Sequence, residues 1–549
     1  MKILKSFYQL TPEEKKIKKK ELLFGLISGV LLGISFPPFP FPILIFFAFI
    51  PYFFVIEKKE QLGSINRFTY YTVFIFTLIT LYWVGSWTKE ADPFLMISGV
   101  LLVFINPAIF LIPSTIYYFS KKSLNKKISL FLFPFFWVAF EYAYSITDLR
   151  FPWLMLANSL PYFNWFIQIA DIIGAYGISL LILFINVFLY LFIKNYIEKK
   201  RNNIFYAAAA VLLFIIPVIY GMYKSSVFEH SSRKIKVGLI QPNLNPWDKW
   251  EAGNLDEQLN LYLSLSQEAV NQGAKLIVWP ESALPVYLLS GNYPNEVERI
   301  HQFVDSNNVY LMTGMPDANF YFDLSKAPKD AKRIKNSDVA YTSYNSILLF
   351  SPFTTTVQKY GKIKLVPFGE KVPFVEQLPF LGELIKWQVG ISSWNVGKEQ
   401  TIFNFMNIRT AGVVCFESIY PDFVAGFVQK DAELLVVVTN DSWYGYSSGP
   451  FQHKEIAALR AIENRRTLIR AANGGISCII DPLGRTINET KLFTKTELTG
   501  YAELRNEKTF FTKYPLLFPY ISLFIAILIL FVTFIKKIIT LLKTEKNPN

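Results

Sequence analysis

Cysteine, histidine and charged residues are scarce in this sequence. Its 549 residues include two cysteines and three histidines, and charged side chains make up 18% of the chain. Two cysteines are too few for a disulfide framework. His230, His301 and His453 lack the spacing of metal ligands, so we expect no metal site. We expect no cofactor either. The lysine-rich first 20 residues also lack the apolar stretch of a cleavable signal peptide.

Apolar residues are abundant and unevenly distributed. Hydrophobic residues make up 52% of the chain and aromatic residues 17%, with a mean hydropathy of +0.29, which is too apolar for an ordinary soluble protein. Residues 1–222 and 515–549 are strings of Phe, Ile, Leu and Tyr, whereas residues 223–514 have the mixed composition of a water-soluble domain. We therefore predict a membrane bundle interrupted by one globular domain.

Eight apolar segments come close to the length of about 20 residues that a helix needs to cross a bilayer. They are residues 22–36, 40–56, 68–87, 95–119, 128–146, 165–193, 204–222 and 515–535. The first two are short and are joined by a proline-rich link at 37–40. The pattern predicts a polytopic α-helical bundle with eight spans.

The basic residues are placed asymmetrically between these segments. The net charge is +13, and 22 lysines and arginines lie in the two tails and in the connections that share one predicted side, against only Lys89 and Arg150 in the short loops opposite. The positive-inside rule then puts both termini in the cytoplasm and residues 223–514 outside it. Because the positive charge follows the membrane segments, it does not indicate nucleic-acid binding.

Residues 223–514 alternate short aliphatic runs with polar stretches of helical pattern. The predicted buried strands are 235–241, 275–279, 309–314, 345–351, 411–416, 433–439 and 475–481. The predicted helices are 254–272, 295–307 and 453–466. This alternation is typical of a layered α/β domain, in which catalytic groups collect where strands end.

Three positions near the ends of predicted strands carry reactive groups. Glu281 follows one buried run, Lys362 lies in a cationic loop that leads to Glu370, and Cys415 ends an apolar run two residues before Glu417. Taken alone, each of these residues could have a purely structural role. A single cysteine in a strand, for example, is usually a buried apolar residue. Together, a carboxylate, an ammonium and a thiol suffice for acyl transfer. The other thiol, Cys478, has no such neighbours in the sequence and is interpreted as a core residue.

The motifs around these positions resemble the nitrilase (carbon–nitrogen hydrolase) superfamily, and more closely its membrane-embedded members, the apolipoprotein N-acyltransferases. The resemblance covers nearly the whole chain. The segments that carry it are Gln241-Pro242-Asn243 with Trp247, Trp279-Pro280-Glu281-Ser282, Tyr344-Asn345-Ser346, the run 362–370, Cys415-Phe416-Glu417, the run 439–444, and Arg150-Phe151-Pro152-Trp153-Leu154. It implies eight spans and an α-β-β-α sandwich between the seventh and the eighth.

The resemblance also implies roles for individual residues. Glu281 matches the general base, Lys362 the lysine and Cys415 the nucleophile of a Glu-Lys-Cys triad. The implied supporting residues are Glu370, Glu417, Asn345 and Trp247. Phe416 departs from the family pattern, in which a tyrosine often follows the nucleophile.

Several apolar residues are candidates for lipid contact. The stretch 374–387 is too apolar for an ordinary exposed loop, so we expect either a mobile lid or a helix packed on the sandwich. The candidate lid and substrate residues are Phe380, Leu384, Trp387, Trp443 and Trp153. Within the predicted spans, Glu141 and Asp171 are costly unless they are paired, and we interpret each as either functional or orienting.

The implied activity is an N-acyl transfer without a metal or cofactor. A phospholipid, expected to be phosphatidylethanolamine, would acylate Cys415, and the thioester would pass the acyl chain to the α-amine of an S-diacylglyceryl-cysteine at an apolipoprotein N-terminus. We expect a monomer in the bacterial inner membrane. The alternatives are a membrane-anchored amidase or nitrilase with a small soluble substrate, and a transporter, which would leave the three reactive residues unexplained.

Overall fold

A computed structural model describes residues 10–88, 91, 93–199, 204–247, 255–374, 377 and 394–546. The first part of the chain is helical, as its apolar composition predicts. Its helices are α1 (Pro12–Ile34), α2 (Ile50–Ile56), α3 (Leu62–Leu81), α4 (Pro93–Ile109), α5 (Leu111–Ser123), α6 (Lys126–Ser145), α7 (Asn164–Ile167), α8 (Ala170–Ile197) and α9 (Ile204–Ser226).

Within the described residues, six helical stretches are long and apolar enough to cross a membrane. They are Leu62–Gly85, Leu95–Ser123, Lys126–Ser145, Ala170–Ile197, Ile204–Ser226 and Leu517–Thr540, and they coincide with the last six predicted spans. The first two predicted spans take other forms. Residues 22–36 belong mostly to α1, whose first half is rich in lysine, and residues 40–56 form a 3-10 turn at Pro42–Phe46 followed by the two-turn helix α2.

Local sequence explains how α1 begins and packs. Thr11 and Glu14 form a reciprocal capping box, in which each side chain accepts a hydrogen bond from the backbone N–H of the other. Further along, a Cβ atom at Gly29 would lie 2.6 Å from the Thr72 carbonyl oxygen. The glycine therefore permits the close contact between α1 and α3 that a larger residue would prevent.

Thirteen strands between Lys234 and Glu503 form two packed β-sheets. The strands are β1 (Lys234–Gln241), β2 (Leu276–Trp279), β3 (Tyr310–Tyr321), β4 (Lys332–Arg333), β5 (Ala340–Phe350), β6 (Gln358–Gly361), β7 (Ile402–Phe405), β8 (Ile408–Val414), β9 (Leu434–Thr439), β10 (Leu468–Ala472), β11 (Cys478–Ile480), β12 (Thr486–Glu489) and β13 (Thr496–Glu503). One sheet has the order β13-β1-β2-β3-β5-β4 with β6 beside β5, and the other has the order β12-β11-β10-β9-β8-β7. The central strands β1 to β3 and β8 to β10 are parallel.

Helices cover the outer faces of both sheets, and two further helices follow the last strand. The remaining helices are α10 (Leu255–Asn271), α11 (Pro294–Asn307), α12 (Pro421–Gln429), α13 (Ser448–Asn464), α14 (Phe510–Lys513) and α15 (Leu517–Lys546). Side chains such as Val278 and Val437 fill the space between the sheets, while Ile277 and Leu311 pack under α10 and α11. The α/β class predicted from alternating runs is confirmed.

Helix α13 connects the sandwich to the membrane helices. The Trp83 and Trp153 indole N–H groups donate to Gln452 Oε1 at 3.1 and 2.7 Å, and Gln452 Nε2 donates to the Thr80 carbonyl at 3.1 Å. At the end of α13, Glu463 accepts a hydrogen bond of 2.9 Å from the Ala175 backbone N–H. These buried contacts fix the sandwich on one end of the bundle.

Candidate active site

Glu281, Lys362 and Asn345 meet in one sheet, where Glu281 follows β2, Asn345 lies within β5 and Lys362 follows β6. Lys362 follows β6 and is almost fully buried, with its Nζ 3.5 Å from Glu281 Oε1 and 2.8 Å from Glu370 Oε1. Asn345 on β5 donates from Nδ2 to both carboxylates, at 2.7 and 2.8 Å. The lysine is thus held between two acids whose own positions are fixed by a shared amide.

The backbone around Glu281 leaves little room for variation. The carboxylate follows β2 and accepts a hydrogen bond of 3.1 Å from the Asn440 backbone N–H through its second oxygen. A Cβ atom at Gly314 on the adjacent β3 would lie 2.5 Å from Glu281 Cα. Only glycine at that position lets the chain turn out of β2 with the acid facing Lys362.

Cys415 begins a 3-10 turn directly after β8. Its φ angle is +49°, in the left-handed region that a non-glycine residue rarely adopts. Glu417 stabilises this turn, because its Oε2 accepts from the Val414 N–H at 2.9 Å. Its Oε1 accepts from the Tyr360 hydroxyl and from the N–H groups of Ile363 and Lys364 at 2.7, 2.7 and 3.0 Å. Glu417 therefore joins the cysteine turn to the lysine loop.

Burial and charge set the protonation of these groups. Burial raises the pKa of the Cys415 thiol, and the Glu281 carboxylate raises it further, while Lys362 acts in the opposite direction. Burial likewise raises the pKa of Glu281. Burial disfavours the Lys362 ammonium, yet Glu370 and Glu281 together raise the pKa of Lys362 above its usual value. The arrangement thus places a protonated thiol beside the Glu281 carboxyl group and the Lys362 ammonium.

Comparison with known proteins identifies the family. Residues 236–514 match the sequence model described as "Carbon-nitrogen hydrolase", and residues 28–188 match "Apolipoprotein N-acyltransferase N-terminal domain". An apolipoprotein N-acyltransferase of Chlorobaculum tepidum is 34% identical over 537 residues, which are 95% of this chain and 98% of the relative. The chain belongs to the apolipoprotein N-acyltransferase family.

Two further matches have lower sequence identity. An apolipoprotein N-acyltransferase of Geobacter metallireducens is 32% identical over 92% of this chain and 93% of its own. Among solved structures, an amidase from Nesterenkonia sp. is similar over 51% of this chain and 92% of its own, at 16% identity and a TM-score of 0.34. That likeness is too remote to add to the assignment. For this family member, the architecture is a membrane-embedded helical region joined to a nitrilase-like α/β sandwich.

The aromatic candidates lie around the cysteine turn. Trp153 packs against the His453 ring at 5.5 Å, and its neighbour Phe151 stacks on Phe416 at 5.7 Å. Trp247 and Trp443 contact each other edge to face at 4.8 Å. The lid candidates Phe380, Leu384 and Trp387 lie outside the described residues.

The two acids of the predicted spans have polar partners in the structure. Glu141 Oε1 accepts from the Trp137 indole at 3.1 Å and from the Leu156 N–H at 3.0 Å. It thus holds the loop that carries Trp153. Asp171 accepts hydrogen bonds from Tyr220 and Arg465.

His453 is the main residue that the sequence analysis did not assign. Its Nε2 lies 2.9 Å from Ser418 Oγ and 3.2 Å from the Cys415 carbonyl oxygen, and its Nδ1 lies 3.0 Å from Asp441 Oδ1. Burial lowers the pKa of His453, and the Arg470 guanidinium lowers it further. Its position at the start of a helix, 12 residues after Asp441 and 38 after Cys415, was the only available signal.

Cys415, Asp441 and His453 also lie close enough together to be compared with a metal site. Their ligand atoms all lie within 4.8 Å of one another. However, Arg470 is fully buried, forms an ion pair with Asp441 and has its Nη2 3.1 Å from His453 Nδ1. A metal cation bound there would face a buried guanidinium, which makes the donor set a poor fit for an ion.

Cys478, the second thiol, has a different environment. It lies on β11 between β10 and β12 and is fully buried. Burial raises the pKa of Cys478 to about 12. Its cross-strand neighbours are Arg470 on β10 and Glu489 on β12.

Proposed function

We propose that this enzyme transfers an acyl chain from a phospholipid to the α-amine of the N-terminal S-diacylglyceryl-cysteine of apolipoproteins. The observation that supports it most directly is the contact of Lys362 with Glu281 and Glu370 beside the Cys415 turn, in a member of this family that is fixed to a membrane bundle. A Glu-Lys-Cys triad of Glu281, Lys362 and Cys415 would act by a ping-pong mechanism.

The first half-reaction forms a thioester. Because the thiol is protonated at neutral pH, Glu281 takes its proton as Cys415 Sγ attacks the ester carbonyl carbon of the phospholipid. The Lys362 ammonium and the Phe416 backbone N–H stabilise the oxyanion, and one such donor can contribute about 3 kcal/mol. The C–O bond then breaks, and the lysophospholipid alkoxide leaves with the proton held by Glu281.

The second half-reaction transfers the acyl chain. The neutral α-amine of the apolipoprotein attacks the thioester carbonyl, and Glu281 again accepts a proton. Collapse of the tetrahedral intermediate forms the amide bond and breaks the C–S bond. The sulfur leaves as a thiol by regaining that proton. Glu370 and Asn345 position the charged pair, Glu417 positions the cysteine turn, and Trp247 supports the rim of the site.

The membrane arrangement is part of the same proposal. We divide the chain into a bundle at 1–222, a catalytic domain at 223–514 and a final segment at 515–549. The basic asymmetry supports eight crossings of the inner membrane, with both termini in the cytoplasm and the catalytic domain in the periplasm. The enzyme would act as a monomer with phosphatidylethanolamine as donor. A reporter fused after Asn549 should be cytoplasmic, and a periplasmic signal would contradict this orientation.

The apolar stretch 374–387 is proposed as a lid. Phe380, Leu384 and Trp387 would contact the acyl chain and exclude water from the thioester, and Trp153 and Trp443 are further candidates for contact with the substrate. Changing all three lid residues to serine should raise the fraction of thioester lost to hydrolysis. An unchanged partition between hydrolysis and transfer would show that this stretch is ordinary packing.

Mass analysis of Cys415 tests the central proposal. Purified full-length protein is incubated with labelled phosphatidylethanolamine, and an acyl adduct is sought on each cysteine. The adduct should form on Cys415, disappear in Cys415→Ala and persist in Cys478→Ala. If the wild-type enzyme forms no adduct from phospholipid but hydrolyses small amides, the membrane-anchored amidase is the better description.

A further inference from the structure

Three hydrogen-bond donors next to the cysteine turn lack partners. Arg150 Nε and the Tyr420 hydroxyl are buried without a hydrogen-bond partner. The Tyr420 residue as a whole is only 1% exposed. Lys364 is half-buried, and within the described part of the chain neither it nor Arg150 forms a side-chain ion pair or hydrogen bond. Buried donors of this kind are costly unless a ligand satisfies them.

The three donor residues are neighbours. The Lys364 Nζ lies 5.4 Å from the centroid of the Tyr420 ring and 5.9 Å from that of Phe423. Burial raises the pKa of Tyr420, and the Arg150 guanidinium counteracts that shift. Burial also lowers the pKa of Lys364, Asp422 opposes this change, and Arg150 adds to it. Arg150 is therefore an electrostatic neighbour of both other groups.

This place adjoins the thiol. Phe416, which directly follows Cys415, packs between Phe151 and Tyr420, with ring centroids 5.7 and 5.5 Å away. Arg150 precedes Phe151 in the loop from the membrane bundle. The Lys364 backbone is fixed to the cysteine turn through Glu417 at 3.0 Å. Tyr420 and Phe151, the residue after Arg150, thus both pack on the residue beside the nucleophile.

The charge of this cluster favours an anion. Arg150 and Lys364 supply two positive charges, and Asp422 is the nearby acid, with its Oδ1 buried and without a hydrogen-bond partner. Glu417 is also close, but four donors already satisfy its carboxylate. Arginine and lysine together with a hydroxyl are the donors that proteins commonly use to bind phosphate oxygens.

We propose that Arg150, Lys364 and Tyr420 form a subsite for the phosphate group of the phospholipid donor. This inference rests on the proposed function and specifies how the donor is held while its ester carbonyl meets Cys415. The non-bridging phosphate oxygens accept from the guanidinium, the ammonium and the tyrosine hydroxyl. A donor without a phosphate would make none of these contacts.

The test compares two acyl donors with the full-length enzyme. One is phosphatidylethanolamine in mixed micelles, and the other is a p-nitrophenyl ester of the same acyl chain, which has no phosphate. Arg150→Gln, Lys364→Met and Tyr420→Phe should each slow Cys415 acylation by phosphatidylethanolamine by about tenfold, as expected for loss of one charge-assisted hydrogen bond. Acylation by the p-nitrophenyl ester should stay within about twofold of the wild type.

Controls separate this subsite from general effects. Arg409→Gln with Lys430→Gln removes two exposed positive charges from the same domain and should leave both donors unaffected. Arg150→Lys should recover part of the phospholipid rate. Equal losses with both donors, or no loss with phosphatidylethanolamine, would overturn the subsite. If the wild type reacts with the ester but never with phospholipid, the proposed function itself is wrong.

Inorganic phosphate distinguishes the source of the anion. If phosphate competes with phosphatidylethanolamine in the wild type and less so in Lys364→Met, the subsite binds free phosphate as well as the lipid phosphate. If phosphate does not compete while the donor-dependent losses remain, the subsite recognises phosphate only as part of a lipid. Competition that is equally strong in both proteins would place the anion elsewhere and contradict the assignment.

Discussion

Asp171 of α8 and Arg465 of the sandwich form a buried ion pair, with Arg465 Nη2 2.7 Å and Nε 3.0 Å from Asp171 Oδ2. Tyr220 donates to the same carboxylate at 2.8 Å, and Arg465 also donates to the Gln168 carbonyl at 2.9 Å. Both charged groups are about 5% exposed. Of the two interpretations of Asp171, this contact supports the one in which it orients the bundle against the globular domain.

Breaking this pair should destabilise the junction. Asp171→Ala leaves the Arg465 guanidinium buried without its counter-charge, which typically costs about 3–5 kcal/mol. We expect a clear fall in the apparent unfolding temperature of the detergent-solubilised enzyme, measured by tryptophan fluorescence. In a double-mutant cycle with Arg465→Ala, the two losses should be markedly less than additive.

Lys224 provides a matched control for that experiment. Its Nζ is 4.0 Å from Asp171 Oδ2 and its side chain is 35% exposed. Lys224→Met should change stability by no more than about 1 kcal/mol, as expected for an exposed pair. Additive losses in the Asp171 and Arg465 cycle would show that the pair does not join the two regions.

The Asp171 contact also shows what the sequence could not predict. Asp171 and Arg465 are separated by 294 positions, and no local pattern links them. By contrast, the aliphatic run 275–279 became β2 within one residue, because a buried parallel strand needs apolar residues on both faces. Edge strands such as Thr496–Glu503 were missed, since their polar, partly exposed sequence gives no such signal.

The residues of the candidate site were likewise only partly predictable from the sequence. The placement of Glu281 and Cys415 after apolar runs was predictable, because each follows the carboxyl end of a buried parallel strand, β2 in one sheet and β8 in the other, where catalytic groups of α/β folds collect. Asn345 was known only from the family resemblance, and its bridge between Glu281 and Glu370 requires the register of β5. The two first predicted spans also show a limit, since composition did not reveal the 3-10 turn within 40–56.

The pH dependence of acylation should reflect the buried state of Glu281. Burial raises the pKa of Glu281, Lys362 opposes the shift, and Glu370 reinforces it. Only the ionised carboxylate can accept the thiol proton, so single-turnover acylation should fall as the pH drops through this raised pKa. The acidic limb of the pH–rate profile should therefore have its midpoint above about 4.3, the usual pKa of a glutamate.

Glu370→Gln tests the cause of that limb. Removing the neighbouring negative charge should move the limb to lower pH, even if the maximal rate also falls. At a pH above this limb, Glu281→Gln should lower acylation by at least about 100-fold, as expected for loss of a general base. A limb at the ordinary glutamate range, or one that Glu370→Gln moves to higher pH, would argue against Glu281 as the base.

His453 should act as a positioning residue for the cysteine turn. Its Nε2 contacts both Ser418 Oγ and the Cys415 carbonyl, while Asp441 contacts Nδ1. Burial would raise the pKa of Asp441, but Arg470 and His453 lower it to about 2. The turn is strained by the left-handed φ of Cys415. Losing its support should misplace the sulfur without removing any group that touches the substrate.

We therefore expect His453→Ala to slow the acylation step by about tenfold, as a small misplacement of a nucleophile can do, with little change in the concentration of phospholipid that half-saturates it. His453→Gln, whose amide can reach the same carbonyl, should recover part of the rate. His301→Ala is the matched control, because His301 is half-buried and its ring contacts Phe350 rather than the site. If His453→Ala weakens phospholipid binding and leaves the rate of the bound complex intact, His453 contacts the donor instead of holding the turn.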